Sequence, residues 1–468
     1  MHTLVFRDAD GLKHIYNNES GMIFPYSDDL LSALQKAPSE ASSEDGYAAG
    51  LANKIYLAIR RGKQSQTSVS NYLARRGFRE LVLKTTSQCN MRCKYCIYSE
   101  HYPKTSGYSN EMTSIEMAQR AVDLFFTLFL KTRQYNASRE PLINFYGGEP
   151  LLNFEMIKST VLYVEEKYGS EGPRYSITTN GLLLGNEAIA SFLKECDFSI
   201  SVSVDGTKRN HDRYRKTVGG QPTYDFILEN VSKYFSDYQN INTVCCYDIK
   251  SNLLDLAAFY EVNDRRNGGV LPPLLHANQI VSDYSDFYDD VTEDERDEFS
   301  SQSNELLSTY IDCLSSGKKP PLFCSALFSG DFFLVAERQK FIWGNDLFVS
   351  PTATCCPGDK LLVNPDGSLD LCERGPITRK PLGSVQSGFN FEAAQEIVNQ
   401  YNANVLSHCS NCNVSRLCSK CYATTEDAPC YHLDASSCEA IRKTIEKRLS
   451  VYATIMERNP DAFNRAFA

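Results

Sequence analysis

Three cysteines, Cys89, Cys93 and Cys96, stand in the stretch TTSQCNMRCKYCIYS at C-x3-C-x2-C spacing. Thiolates are soft, electron-rich ligands, and so short a loop lets three sulfurs converge on one side of the backbone. Three such ligands suit a four-iron, four-sulfur cluster whose fourth iron stays open to chelate a small molecule. Zinc fits this run poorly, because its cysteines usually come as C-x2-C pairs. The plain alternative is three buried structural thiols. Tyr95, wedged between two of the candidate ligands, offers a ring on which a bound purine could stack.

A second set of sulfurs lies after residue 350. CCPGDKLLVNPDGSLDLCERG holds Cys355, Cys356 and, at G-x4-C from Gly367, Cys372. HCSNCNVSRLCSKC gives Cys409, Cys412, Cys418 and Cys421 as C-x2-C-x5-C-x2-C, and Cys430 and Cys438 follow. Paired C-x2-C is also a zinc-ribbon pattern, so spacing leaves zinc and iron–sulfur equally open here. LLVNPDGSLDLC reads as a β-hairpin turning at Pro365-Asp366-Gly367, which carries Cys372 back toward Cys356. Cys196, Cys245, Cys246 and Cys313 fall on helix or strand patterns and read as buried thiols without function.

The elements that position these residues follow from apolar periodicity. Strands are predicted at Leu81–Thr86, Leu142–Tyr146, Tyr175–Thr179, Phe198–Val204, Asn242–Tyr247 and Leu274–Val281. Helical patterns lie between them, such as Ile115–Thr132, Glu155–Lys167 and Tyr224–Phe235. That alternation implies parallel βαβ units, and six strands suggest an α/β fold with a partial (β/α)6 barrel. The first cysteines then sit on the loop leaving the first strand, where barrel enzymes hold their active sites. Other motifs fall at strand ends too. NFYGGEPLL brings Gly147 and Gly148, which permit close backbone approach to a ligand, and Glu149, a charge for an ammonium group. SITTNGLLL carries Thr178 and Asn180, SVSVDG aims Ser203 and Asp205 at the same mouth, and HDRYRK offers Arg215. Each also has an ordinary reading, as a turn or a solvated charge.

Together these residues resemble the radical S-adenosylmethionine (SAM) superfamily, whose signature is C-x3-C-x-aromatic-C. The resemblance implies that Cys89, Cys93 and Cys96 hold the catalytic cluster. Its open iron would bind the amino and carboxylate groups of SAM, and reduction would cleave SAM to methionine and a 5′-deoxyadenosyl radical. Gly147, Gly148, Glu149 and Pro150 form the GGEP element that meets the methionine amino group in that family, and Arg215 matches the arginine that meets the carboxylate. Tyr95, Thr178, Asn180, Ser203 and Asp205 complete the expected cofactor contacts.

The C-terminal pattern resembles a SPASM domain, the module of radical SAM peptide maturases that carries two auxiliary four-iron clusters. By that resemblance Cys356, Cys372 and Cys421 hold the first, with Cys355, Cys324, Cys430 or nothing in the fourth place. Cys409, Cys412, Cys418 and Cys438 hold the second. The Cys418–Cys421 spacing is one residue shorter than the commonest family form. The phrasing CCPG…PDG…CERG is most similar to ranthipeptide-type maturases, which link Cys sulfur to a side-chain carbon of Asp or Glu. The resemblance implies a ribosomally made Cys-rich precursor peptide as partner, and an external electron donor such as flavodoxin or ferredoxin. The alternatives are an α-carbon thioether, a carbon–carbon crosslink, sulfatase Cys or Ser oxidation to formylglycine, or a zinc-scaffolded binding protein.

The chain of 468 residues is long enough for several cores. It is divided here into 1–78, 79–318 (barrel), 319–350 (bridge), 351–450 (Cys-rich module) and 451–468 (C-terminal helix or tail). In the first segment, short antiparallel strands followed by helices resemble the winged-helix element that binds leader peptides by strand addition, with a plain structural cap as the alternative. SDDLLSALQKA starts as a helix capped near Ser27, and residues 37–46 read as a polar low-complexity loop. A formal net charge of −10 argues against a nucleic-acid substrate. No run approaches a membrane span and MHTLVFRDAD lacks the layout of a signal peptide, which points to the cytoplasm. The acidic run 283–300 reads as a solvated helix face, or else as a surface for a basic peptide. No Ser-His-Asp or paired-carboxylate motif suggests hydrolysis.

Overall fold

The computed structural model describes residues 1–36, 46–63, 68–103, 105, 107–135, 137–280, 285–338, 349–373, 381–422, 426–427, 430–431 and 435–466. The loop expected over 37–46 lies almost wholly outside them. Three antiparallel strands open the chain: β1 (Thr3–Arg7), β2 (Lys13–Asn17) and β3 (Met22–Pro25), in that order across the sheet. Helices α1 (Asp28–Gln35), α2 (Gly46–Lys63) and α3 (Val69–Arg76) follow. Ser27 caps α1 as its sequence predicts, its side chain accepting the Leu30 N–H.

The six expected barrel strands all form, within one or two residues of their predicted ends. They are β4 (Glu80–Thr86), β5 (Leu142–Gly147), β6 (Arg174–Thr179), β7 (Ser199–Ser203), β8 (Ile241–Tyr247) and β9 (Leu274–Gln279). Each pairs in parallel with the next. The crossovers are helical: α4 (Ile115–Thr132), α5 (Phe154–Tyr168), α6 (Glu187–Glu195), α7 (Lys208–Tyr214), α8 (Tyr224–Phe235) and α9 (Leu253–Asn263).

Alternation along the strands separates two faces. Leu81, Leu83, Ile143, Phe145, Ile177, Ile200 and Val202 share one core with Phe125, Phe126 and Phe129 of α4. The opposite face is polar. Register carries it from Lys84 and Asn144 through Thr178 and Ser201 to Ser203, Cys246 and Asn278.

The sheet does not stop at the sixth strand. The predicted hairpin forms, as β10 (Lys360–Val363) and β11 (Leu369–Asp370), with Gly367 at φ 83° in the turn. Its first strand pairs in parallel with β4, placing Lys360 opposite Glu80, and their side chains form an ion pair at 2.8 Å. Leu361, Val363, Leu369 and Leu371 enter the same core as β4. The remaining helices, α10 (Glu293–Ser315), α11 (Leu322–Ala336), α12 (Phe391–Cys409) and α13 (Ala435–Arg458), tie the molecule together. Phe6 and Tyr16 of the N-terminal sheet share a second core with α9, α10, α11 and α13. The acidic run supplies the capped and largely exposed start of α10. Among the described residues no helix is long and apolar enough to cross a membrane.

A chain ending at Arg338 leaves β4 with a bare edge and strips the hairpin side chains from its core. Such a fragment is expected to elute as aggregate in size-exclusion chromatography, and a monodisperse monomer would contradict the shared sheet.

Candidate functional site

The loop after β4 is held on two sides, by the turn after β5 and by the segment that follows α7. Gly148 N–H donates to Thr86 O at 2.9 Å and Glu149 N–H to Gln88 O at 2.8 Å. Across the loop, Arg92 N–H donates to Lys216 O at 2.9 Å and Val218 N–H to Asn90 O at 3.2 Å. The GGEP turn and the Arg215 segment therefore clamp the cysteine loop between them. The need for glycine is visible here. A Cβ on Gly148 would lie 1.9 Å from Gln88 O, and one on Gly147, at φ 145°, 2.4 Å from Thr86 O. The close approach expected toward a ligand is made first of all to the cysteine loop itself.

Cys89, Cys93 and Cys96 stand within electrostatic range of one another. Burial pushes the Cys89 thiol up to about 11 and that of Cys93 up to about 12. A metal must displace those protons, which couples binding to pH. Donors already face the sulfurs. Met91 N–H lies 3.4 Å from Cys89 Sγ, Asn180 Nδ2 lies 3.8 Å from it, and the Tyr108 hydroxyl meets Cys96. Three converging thiols with such partners fit a cluster with one open corner.

Beside them lies a buried chain of polar groups. The Tyr95 hydroxyl donates to Asp205 Oδ2 at 2.5 Å and accepts from Arg215 Nη1 at 2.7 Å, while Cys246 N–H donates to Asp205 Oδ1 at 3.0 Å. Asp205 is 2% exposed and Arg215 6%. Burial raises the Asp205 carboxyl, against the opposing pull of Arg215 and the donors from Cys246 and Tyr95. Burial works against the Arg215 charge as well, but Tyr95, Cys93 and Asp205 hold it in place. Its Nε is buried without a hydrogen-bond partner, which leaves a donor for a carboxylate. Tyr95 is thus tethered by its hydroxyl as well as placed by its ring.

Glu149 differs from its expected part. Its Oε1 accepts from Leu151 N–H at 3.1 Å and from the Thr179 hydroxyl at 2.8 Å, and Oε2 accepts from Asn180 N–H at 2.8 Å. The carboxylate staples the ends of β5 and β6 and presents Pro150 at the start of a short 3-10 turn. Thr178 and Ser203 line the interior face, as their strand positions imply. His211, buried between Asp205 N–H and the Thr223 hydroxyl, is held neutral by burial and by Arg215.

Two residues of this region escaped the sequence. Cys246 was expected to be inert, yet it faces Tyr95, Asp205 and Cys93, and burial followed by the Asp205 charge lifts its thiol to about 12. The alternation Asn242, Val244, Cys246 is the signal that places it inside. Tyr108 sits on a loop and carries no such signal.

In the C-terminal module Cys409, Cys412, Cys418 and Cys438 lie within electrostatic range of one another. Cys356 is 2% exposed, Cys372 follows β11, and Cys355 stands within reach of Cys421. Cys324 is elsewhere. It is buried in the core of α11 beside Cys313 and Glu261, so packing removes it from the first auxiliary set. The Cys430 side chain lies outside the described residues. Among the described residues no three His, Cys, Asp or Glu side chains are drawn together closely enough to hold a single metal ion.

A sheet of six successive parallel strands, with three thiols on the loop after the first of them and a buried arginine beside them, defines the class of site. Residues 83–246 match the radical SAM superfamily, and the chain carries a radical SAM domain there. The chain is 29% identical over 192 residues to a cysteine-type anaerobic sulfatase-maturating enzyme of Clostridium novyi, covering 40% of this chain and 48% of that one. It spans about half the length of the curated relatives it matches. Its fold is similar to that of anSMEcpe with bound AdoMet (TM-score 0.56, 19% identity, 83% of this chain and 98% of the other). It also resembles Streptococcus suis SuiB bound to precursor peptide SuiA (TM-score 0.51, 13% identity, 93% and 99%).

Proposed function

We propose that the protein is a radical SAM enzyme that modifies a ribosomally made, Cys-rich precursor peptide by joining Cys sulfur to a side-chain carbon of Asp or Glu. The observation that carries this reading is the meeting of three thiols with a buried arginine whose Nε is unpaired, at the barrel mouth. On this reading Cys89, Cys93 and Cys96 hold the catalytic cluster, while Arg215, oriented by Tyr95 and Asp205, receives the SAM carboxylate. The Gly147–Pro150 turn, Thr178, Asn180 and Ser203 line the remainder of the cofactor site. Bound cluster and SAM supply what no side chain can, removal of a hydrogen atom from an unactivated carbon. The barrel contributes a polar interior that orients the peptide and walls that exclude water.

Cys356, Cys372, Cys421 and Cys355 are proposed for the first auxiliary cluster, and Cys409, Cys412, Cys418 and Cys438 for the second. A substrate thiol gives up its proton and the attacked carbon its hydrogen atom, so one electron must leave. Auxiliary clusters and an external donor or acceptor such as ferredoxin or flavodoxin provide that route. In the N-terminal sheet β1 and β3 are outer strands, to which a leader peptide could add. The likeness to a structure holding a precursor peptide supports a peptide substrate.

Intact-mass analysis tests the reaction. Each thioether removes two hydrogens from a precursor and blocks one Cys from alkylation. SAM cleavage with no mass change would reject it. The likeness to cysteine-type sulfatase maturases favours a second reading, oxidation of one Cys to formylglycine, which forms an aldehyde and no bridge.

A further inference from the structure

The two outer strands of the N-terminal sheet are not equivalent. Asn18 N–H donates to His2 O, and Tyr26 N–H to Lys13 O. Combined with the register of the sheet, these bonds turn the even-numbered residues of β1 toward β2 and leave the backbone groups of Thr3, Val5 and Arg7 facing outward. None of those three N–H groups has a hydrogen-bond partner among the described residues. On β3 the outward positions are Ile23 and Pro25, and proline has no N–H to offer. The edge suited to accept a further strand is therefore β1.

Beyond that edge lies a cleft of about 610 Å³ bordered by α13. The helix runs alongside β1: Ala9 N–H donates to Thr454 Oγ1 at 2.9 Å, and Arg458 pairs with Asp10 at 2.6 Å. Phe6 enters the core it shares with α13, whereas Val5 is 37% exposed. Arg7, Lys13, Lys443 and Lys447 line the cleft against one carboxylate, Glu446, in a chain of net charge −10. Arg7 Nη1 donates to Gly11 O, Lys13 lies over the Tyr26 ring and Lys447 Nζ donates to Asn304 Oδ1, all neutral partners. Lys443 pairs with Glu439 on the same helix, at an exposed position where such pairs are weak. Charge on an edge strand by itself guards against aggregation, but Lys443 and Lys447 come from a helix at the other end of the sequence. Their spacing also suits a strand. Four helical residues rise about 6 Å, close to the roughly 6.7 Å between alternate side chains of an extended chain.

We propose that β1 receives an extended acidic segment of the precursor peptide as a fourth strand, with carboxylates at alternate positions over Lys443 and Lys447. That the peptide is the precursor rests on the function proposed above, whereas strand addition and the acidic pattern do not.

Fluorescence anisotropy of the full chain, without SAM, iron or reductant, tests it with a labelled, blocked octapeptide of alternating Glu and Val. This peptide is expected to bind. Replacing its Glu by Gln, methylating its backbone amides, or substituting Lys443→Gln together with Lys447→Gln in the protein should each weaken binding about tenfold or more. Val5→Pro removes one outward N–H from an edge strand, so it should weaken binding several-fold at an unchanged melting temperature. No binding of the Glu peptide, or equal binding of its methylated form, would overturn strand addition at this edge. Equal binding of the Glu and Gln peptides, or unchanged affinity in the double variant, would overturn the acidic occupant. Should Val5→Pro fail to fold, the comparison of peptides decides alone. Because no SAM is present, either failure leaves the radical SAM reading standing, and a failure of SAM cleavage leaves this site standing.

Discussion

Replacing Cys93 by Ala is expected to lower 5′-deoxyadenosine formation from SAM by about a thousandfold or more, with no loss of fold. The same loss is expected from Cys89→Ala, from Cys96→Ala and from the triple variant, because ligands of one centre act as a unit and their effects do not add. The thiols stand together on a loop clamped by backbone bonds to the GGEP turn and the Arg215 segment. Those bonds do not involve the sulfurs, so circular dichroism should be unchanged. Iron content should fall by one cluster's worth in each variant. Single variants that retain rates within tenfold of the parent would mean that the chemistry lies elsewhere.

The largest stability effect is expected from Arg215→Met. The guanidinium holds the Tyr95 hydroxyl and, through it, the buried Asp205 carboxylate. Removing one partner of a buried charged set leaves the other unpaired, at about 3–5 kcal/mol. The pH dependence follows from Asp205, whose carboxyl is raised by burial even with Arg215 in place. In strong acid the group is protonated in folded and unfolded chains alike and costs nothing. As pH rises, the unfolded chain loses its proton first, and stability falls until the folded carboxyl ionises as well. Without Arg215 the folded carboxyl rises further, so this window widens toward neutrality. The deficit measured by urea unfolding should therefore be largest near neutral pH and shrink toward about pH 4, close to the ordinary carboxylate range. A deficit independent of pH would show that packing, not charge, is what Arg215 supplies. Arg215→Lys, which keeps the charge but not the fork, should recover part of the stability.

Local pattern was enough for much of the fold. The strands from β4 to β9 are short apolar runs separated by helical periodicity, and Asp-Gly at 366–367 marks the hairpin turn. What the hairpin does next was not legible. Its pairing with β4 joins Lys360 to Glu80 across the whole barrel sequence, and long-range register leaves no local trace. The same limit applies to the site. Cys89, Cys93, Cys96 and Arg215 announce themselves by type and spacing, but the tether from Tyr95 to Asp205 depends on two loops meeting. Cys324 looked available because sequence shows its chemistry and not its neighbours, which are Cys313 and the core of α11. Glu149 looked like a free charge for the same reason, since its partners Thr179 and Asn180 lie on the next strand end.

Anaerobic reconstitution of the full chain with iron and sulfide, reduction with dithionite and quantitation of 5′-deoxyadenosine tests the central assignment most directly. The account expects a brown protein that converts SAM to 5′-deoxyadenosine and methionine only when reduced. Fully reconstituted, reduced protein that binds iron but releases no deoxyadenosine would contradict it.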